Sequence, residues 1–168
     1  MLLAASASLL ACAASARGPR DGQRAPLPPI SPGDPVVIQL PDGPIRGSQT
    51  LTTRFFRGVP YAKPPLGELR WKPPVAPDPW GPEPRDATRF GASCPQKGGW
   101  PTINLTVISE DCLFLNVYAP VPSPDATPKE GYPVMVYLHA GEFRYGSSND
   151  AENNWPYFSN TTVLVTIK

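Results

Sequence analysis

The residue pattern predicts a sheet-centred fold in which short strands, joined by rigid turns, lead into a sheet covered on both faces. Three observations carry this expectation. Proline makes up 25 of the 168 residues. It falls almost entirely between Pro19 and Pro133, where it limits long helices and favours short strands and turns. Residues 113–118 set Leu113, Leu115 and Val117 against Phe114, Asn116 and Tyr118, the period of a half-buried strand. Residues 134–138 are apolar on both faces and residues 163–167 nearly so, the pattern of strands inside a covered sheet.

Composition narrows the function. The chain is 40% hydrophobic and 17% charged, which suits one globular unit better than a disordered segment or a membrane bundle. Fifteen basic residues against fourteen acidic ones leave a net charge of +1. The arginines are scattered, so nucleic acid is not an expected partner.

In chain order, residues 1–16 carry no charged side chain and end in Ala14-Ser15-Ala16, an A-x-A pattern that reads as a secretory signal peptide. The run is too short for a transmembrane span. Leu10-Ala11-Cys12 leaves open a bacterial lipid attachment at Cys12. Residues 17–35 are rich in Pro, Gly and Arg without apolar periodicity and are expected to form a flexible mature N-terminus.

The folded part, residues 36–168, opens with three short strands at 36–40, 45–47 and 51–56, the first two joined by Pro41-Asp42-Gly43. Residues 58–84 are an ordered, proline-punctuated loop whose Tyr61, Trp71 and Trp80 are expected to pin extended chain onto the domain. Residues 113–118 form the next strand, ended by Pro120. The strands at 134–138 and 163–167 follow, with a turn or short helix between them. The last is expected to be a central strand with an unpaired apolar edge, which points to a truncated domain.

Loss of the leader removes Cys12 and leaves Cys94 and Cys112. They are either a disulfide or two buried thiols. A bridge would close a loop of 18 residues (112 − 94) and contribute roughly 3 kcal/mol in an oxidising compartment. Asn104-Leu-Thr and Asn160-Thr-Thr are glycosylation sequons and agree with a secreted, extracellular protein.

Glu110-Asp-Cys-Leu-Phe-Leu-Asn-Val-Tyr-Ala-Pro120 resembles the E-D-C-L-x-L-N signature of type-B carboxylesterases, which cholinesterases and neuroligins share. Phe56-Arg-Gly-Val-Pro-Tyr-Ala-Lys-Pro-Pro-Leu-Gly67, Arg70-Trp71 leading to Trp80-Gly81, and Pro133-Val-Met-Val-Tyr-Leu-His-Ala-Gly-Glu-Phe143 agree with that family in order and spacing. The resemblance covers residues 36–168. It implies the α/β class and the α/β-hydrolase fold, N-terminal part only: antiparallel edge strands plus the first strands of a large mixed sheet. It also implies a Cys94–Cys112 disulfide, a buried structural ion pair between Arg70 and Glu110, a small-molecule ester substrate and no cofactor.

Acyl transfer in such enzymes needs a serine on a G-x-S-x-G turn, with an acid and a histidine later in the chain. No G-x-S-x-G occurs in these residues. Gly91-Ala-Ser93-Cys-Pro95 lacks the final glycine, so Ser93 reads as loop. The single histidine, His139, aligns with the oxyanion loop and reads as a hydrogen-bonded structural residue. With one histidine and two paired cysteines, a metal site lacks ligands. The chain alone is expected to be inactive.

It does carry the segment that the family uses as an oxyanion hole, here His139-Ala140-Gly141-Glu142-Phe143. By the resemblance, the donors are the backbone amides of Gly141 and Glu142. Glu142 departs from the family's glycine. A carboxylate about 5 Å from the oxyanion would repel it by roughly 3 kcal/mol at an effective dielectric near 20, about a hundredfold in rate. Glu142 escapes this penalty by pointing away, by pairing with Arg144, or by a pKa raised on burial; it could instead serve as a general base.

Two functions follow. The first is a secreted serine carboxylesterase acting through an acyl-enzyme, with its nucleophile, acid and base downstream. The alternative is a non-catalytic, neuroligin-like binding protein.

Overall fold

A computed structural model describes residues 35–97, 107–122, 127–149 and 161–168. The expected leader, residues 17–34 of the expected N-terminal segment, the turn or short helix expected between the strands at 134–138 and 163–167 beyond Asn149, and the sequons at Asn104 and Asn160 lie outside these residues. Everything described belongs to the unit Ser31–Lys168.

Seven strands form one mixed sheet: β1 (Pro35–Leu40), β2 (Gly43–Gln49), β3 (Thr53–Pro60), β4 (Arg85–Asp86), β5 (Phe114–Pro120), β6 (Val134–Leu138) and β7 (Val163–Ile167). Their order is β1-β2-β3-β5-β7-β6, with β4 parallel to β2. The described residues contain no α-helix, only a 3-10 turn at Gly67–Leu69, in keeping with the proline density.

β1 and β2 form a hairpin closed by Pro41 and Asp42, with Leu40 opposite Gly43. β2 then meets β3 only at Ser48 opposite Phe55 and Gln49 opposite Arg54. Leu51, expected at the start of the third strand, sits in the preceding turn and is 97% exposed. Thr50 makes that turn, its amide donating to the Thr53 carbonyl at 2.8 Å. β3 pairs antiparallel with β5 through a bulge between Phe56 and Val59.

The sheet has apolar clusters around Ile45, Phe56, Val59 and Ala87, and around Phe55, Tyr118 and Leu164. Leu115 and Val117 pack on the first, with Trp80. β5 is therefore covered on both faces, and its more buried side is the one carrying Phe114, Asn116 and Tyr118. Phe55 and Tyr118 meet edge-on, centroids 5.9 Å apart. Arg57, almost fully buried, lies over the Phe55 and Phe90 rings at 5.0 and 4.9 Å. Burial pushes the Tyr118 phenol pKa up, against the opposing pull of Arg57.

Two expectations are corrected here. β7 is a central strand as expected, but it has no unpaired edge: it lies antiparallel to β5 and parallel to β6. The open edge is β6, whose Val134, Met135, Val136 and Leu138 are exposed, so it is not covered on both faces. The edge is open because β7 pairs with one side of β6 and no described strand with the other. The faces are exposed because, of the β6 side chains, only Tyr137 packs on an apolar cluster of the described residues. The loop aromatics also divide. Trp80 pins the chain, its amide donating to Asp42 O and its Nε1 to Pro44 O, each at 2.7 Å. The Tyr61 hydroxyl donates to Lys168 O at 2.8 Å. Trp71 pins nothing: it is 89% exposed, at φ 61°, with Arg70 over its ring at 5.3 Å.

Candidate active site

The stretch from His139 to Asn149 leaves the end of β6 and turns back sharply. Gly141 (φ 130°), Glu142 (φ 57°), Phe143 (φ 58°) and Gly146 (φ 120°) all lie in the left-handed region. For glutamate and phenylalanine each such backbone costs about 1–2 kcal/mol. Gly141 and Gly146 are required by space as well. A Cβ at Gly141 would strike the Tyr145 carbonyl, and one at Gly146 the His139 ring and the Ala140 carbonyl.

The turn is closed internally by Arg144 N–H and Tyr145 N–H, both donating to Gly141 O at 2.9 and 3.2 Å. Among the described residues the amides of Gly141 and Glu142 donate to nothing. Unsatisfied N–H groups on a strained turn are what an incoming negative oxygen requires. His139 Nδ1 lies 2.9 Å from Ala140 O, so its Nδ1–H tautomer donates locally and the ring packs over Gly146.

Glu142 is exposed and makes no ion pair with Arg144 among the described residues. The pairing and the burial considered from sequence are both absent, leaving a solvated carboxylate beside the candidate donors.

The loop is held from below by residues that sequence patterning did not single out. Gln96 Oε1 accepts from Gly146 N–H at 2.8 Å, and Gln96 Nε2 donates to Gly146 O at 3.0 Å and to Cys94 O at 3.1 Å. Ser93, read from sequence as loop, is buried with its Oγ 2.9 Å from Ser147 Oγ. Asn149 Nδ2 donates to Gly91 O at 2.9 Å. Asn116, fully buried on β5, donates through Nδ2 to Ser148 Oγ (3.1 Å) and Thr166 Oγ1 (3.0 Å) and accepts from Gly58 N–H (3.0 Å). One amide thus joins β3, β5, β7 and the loop. Its place in the E-D-C-L-x-L-N motif was the only signal of this role; Gln96 had none beyond its nearness to Cys94.

The segment Gly91–Gln96 that holds the loop is itself anchored. Cys94 and Cys112 are disulfide-bonded (S–S 2.01 Å). Lys168 Nζ donates to the carbonyls of Gly91 and of Ala92, the latter at 2.8 Å, and lies over the Phe114 ring. Burial pushes the Lys168 pKa down to about 8.

Arg70 and Glu110 form an ion pair, Arg70 Nε and NH2 reaching Glu110 Oε1 at 3.1 and 2.8 Å. It is not the buried pair expected: the side chains are 52% and 43% exposed. The 3-10 turn that carries Arg70 has no buried residue, so it does not carry the guanidinium into the interior.

No group of three metal-ligating side chains occurs among the described residues, and none of their helices is long and apolar enough to cross a membrane. The model of the carboxylesterase family matches residues 34–168. Para-nitrobenzyl esterase of Bacillus subtilis (strain 168) is 38% identical over 117 residues, 68% of this chain and 23% of that protein. Carboxylesterase 1C of Mus musculus is 34% identical over 151 residues, 80% of this chain and 26% of its own. Among solved structures, juvenile hormone esterase from Manduca sexta superposes with a TM-score of 0.70 at 33% identity, covering 80% of this chain and 26% of that one. The chain therefore spans about a quarter of the length of these relatives.

Proposed function

The chain belongs to the carboxylesterase family and carries the N-terminal mixed sheet of its α/β-hydrolase fold, and from that premise we propose that the whole protein is a secreted serine carboxylesterase. In this reading an ester carbonyl is attacked by a serine supplied from outside these residues. The oxygen that becomes negative is received by the amide N–H groups of Gly141 and Glu142. The carrying observation is the left-handed backbone through Gly141 and Glu142 with both amides undonated among the described residues.

The fragment's share of the chemistry is electrostatic. Preorganised amides cost no reorganisation as charge develops, and one such donor contributes about 100- to 1000-fold in kcat. The hydrogen-bonded floor of Ser93, Gln96, Asn116 and Asn149 keeps those amides from relaxing toward ordinary dihedrals.

A second reading, a non-catalytic binding protein of neuroligin-like type, is favoured by one observation: Glu142 is charged, exposed and beside the donors. The full-length protein decides between the two. Hydrolysis of a short-chain nitrophenyl ester, abolished by a serine-directed organophosphate, is the expected result. A folded, disulfide-bonded protein with no turnover would overturn the esterase reading and leave binding. Recovery of that protein from the culture medium without its first sixteen residues is the matching test of secretion.

A further inference from the structure

Resting on Gly141 and Glu142 as oxyanion donors, we propose that Gln96 is a positioning residue that holds the oxyanion loop in its strained form by clamping Gly146. Two non-glycine residues, Glu142 and Phe143, sit at φ 57° and 58°. Such backbone persists only where the surroundings over-determine it. The internal bonds of the turn, from Arg144 and Tyr145 to Gly141 O, fix its curvature but tie it to nothing outside.

Gln96 supplies the outside tie. Its carboxamide takes both the N–H and the C=O of Gly146, as a neighbouring strand would, at 2.8 and 3.0 Å. The second Nε2 hydrogen goes to Cys94 O at 3.1 Å. Only one orientation of the amide satisfies all three contacts. Flipped, Oε1 would face two carbonyls and Nε2 would face an N–H. Cys94 is in turn bridged to Cys112, just before β5. Ser93, Asn116 and Asn149 tie down residues 147–149 that follow. Gln96 is the side chain that references Gly146, the tied residue nearest the strained turn, to the sheet through the disulfide, without touching the reacting atoms.

The requirement is for one acceptor and two donors, not for bulk. Gln96→Glu has the same shape and keeps the acceptor, yet sets a carboxylate oxygen against the Gly146 and Cys94 carbonyls. Gln96→Ala removes the clamp altogether. Both variants are compared with the full-length wild-type protein in two measurements: steady-state hydrolysis of a nitrophenyl ester, and hydrogen exchange by mass spectrometry over residues 140–147.

Loss of such a clamp corresponds to about tenfold in rate or opening equilibrium. The expected result is kcat down about tenfold in each variant, with KM within about twofold. Exchange over 140–147 rises about tenfold, while β5 keeps its protection. Unchanged exchange in 140–147 overturns the proposal, as does a change confined to KM, or full activity in Gln96→Glu. Should Gln96→Ala fail to fold, Gln96→Glu carries the same test. Wild-type protein without turnover would overturn the esterase reading alone, and the exchange measurement would still decide whether Gln96 clamps Gly146.

Discussion

Replacing Glu142 separates its two costs, one of charge and one of backbone. The charge cost depends on solvation. At a distance of about 5 Å the repulsion of an oxyanion is roughly 3 kcal/mol at a dielectric near 20, but about 1 kcal/mol in water. Glu142 is exposed and unpaired among the described residues, so the water-like figure applies and the expected penalty is about fivefold in rate. Glu142→Gln keeps the side-chain shape and the φ of 57° and removes only the charge. It should raise kcat/KM several-fold at low ionic strength, and the gain should shrink toward unity as salt is raised through about 0.5 M, where screening acts within a few ångströms. Glu142→Gly should show the same kinetic gain and also stabilise the fold by about 1 kcal/mol, because glycine accepts this dihedral without penalty. Ester hydrolysis at varied salt and urea unfolding measure the two effects. A tenfold loss of kcat in Glu142→Gln, with folding intact, would refute this account and make the carboxylate a working general base.

Three further outcomes are expected. Asn116→Ala orphans the Gly58 amide and the Ser148 and Thr166 hydroxyls at a fully buried site and should cost about 3–4 kcal/mol in urea unfolding; a loss under about 1 kcal/mol would mean that solvent or a neighbour repairs the network. Glu110→Gln should cost less than about 1 kcal/mol, because the pair with Arg70 is about half exposed; a loss comparable to that of Asn116→Ala would contradict the exposed geometry. For Lys168 the folded pKa lies below the usual value, about 8 against 10.5, so between those values the unfolded chain holds a proton that the folded chain has released. Stability should therefore rise with pH across that window, by about 1 kcal/mol once partial exposure is discounted. Urea midpoints measured through the window should show this rise in wild type and lose it in Lys168→Met.

The parts legible in the sequence were those whose signal is local. The β1–β2 hairpin follows from a turn of Pro41 and Asp42 between apolar alternations, and β5, β6 and β7 from runs whose period needs no neighbour to be read. The candidate donors were found through a contiguous motif, and Cys94 and Cys112 as the two cysteines left once the leader is set aside. The alternation in β5 reads as a half-buried strand, whereas both of its faces are covered, because the alternation does not show that the polar Asn116 is buried and bonded to Ser148, Thr166 and Gly58.

Residue chemistry by itself determined that the chain is sheet-centred, and the family resemblance marked residues 139–143, directly after β6, as the candidate oxyanion segment, with a glutamate where the family has glycine. Only the tertiary structure decided that β6 rather than β7 is the open edge, because an apolar run reads alike whether one side or both are paired. It also decided that Arg70 and Glu110 meet in solvent and that Trp71 faces outward. The clamp of Gln96 on Gly146 joins residues 50 apart in the chain, and the left-handed turn through Glu142 and Phe143 runs against the preference of both residues. Neither leaves a local trace, since each exists only where long-range packing brings its partners together and holds the backbone against its own bias.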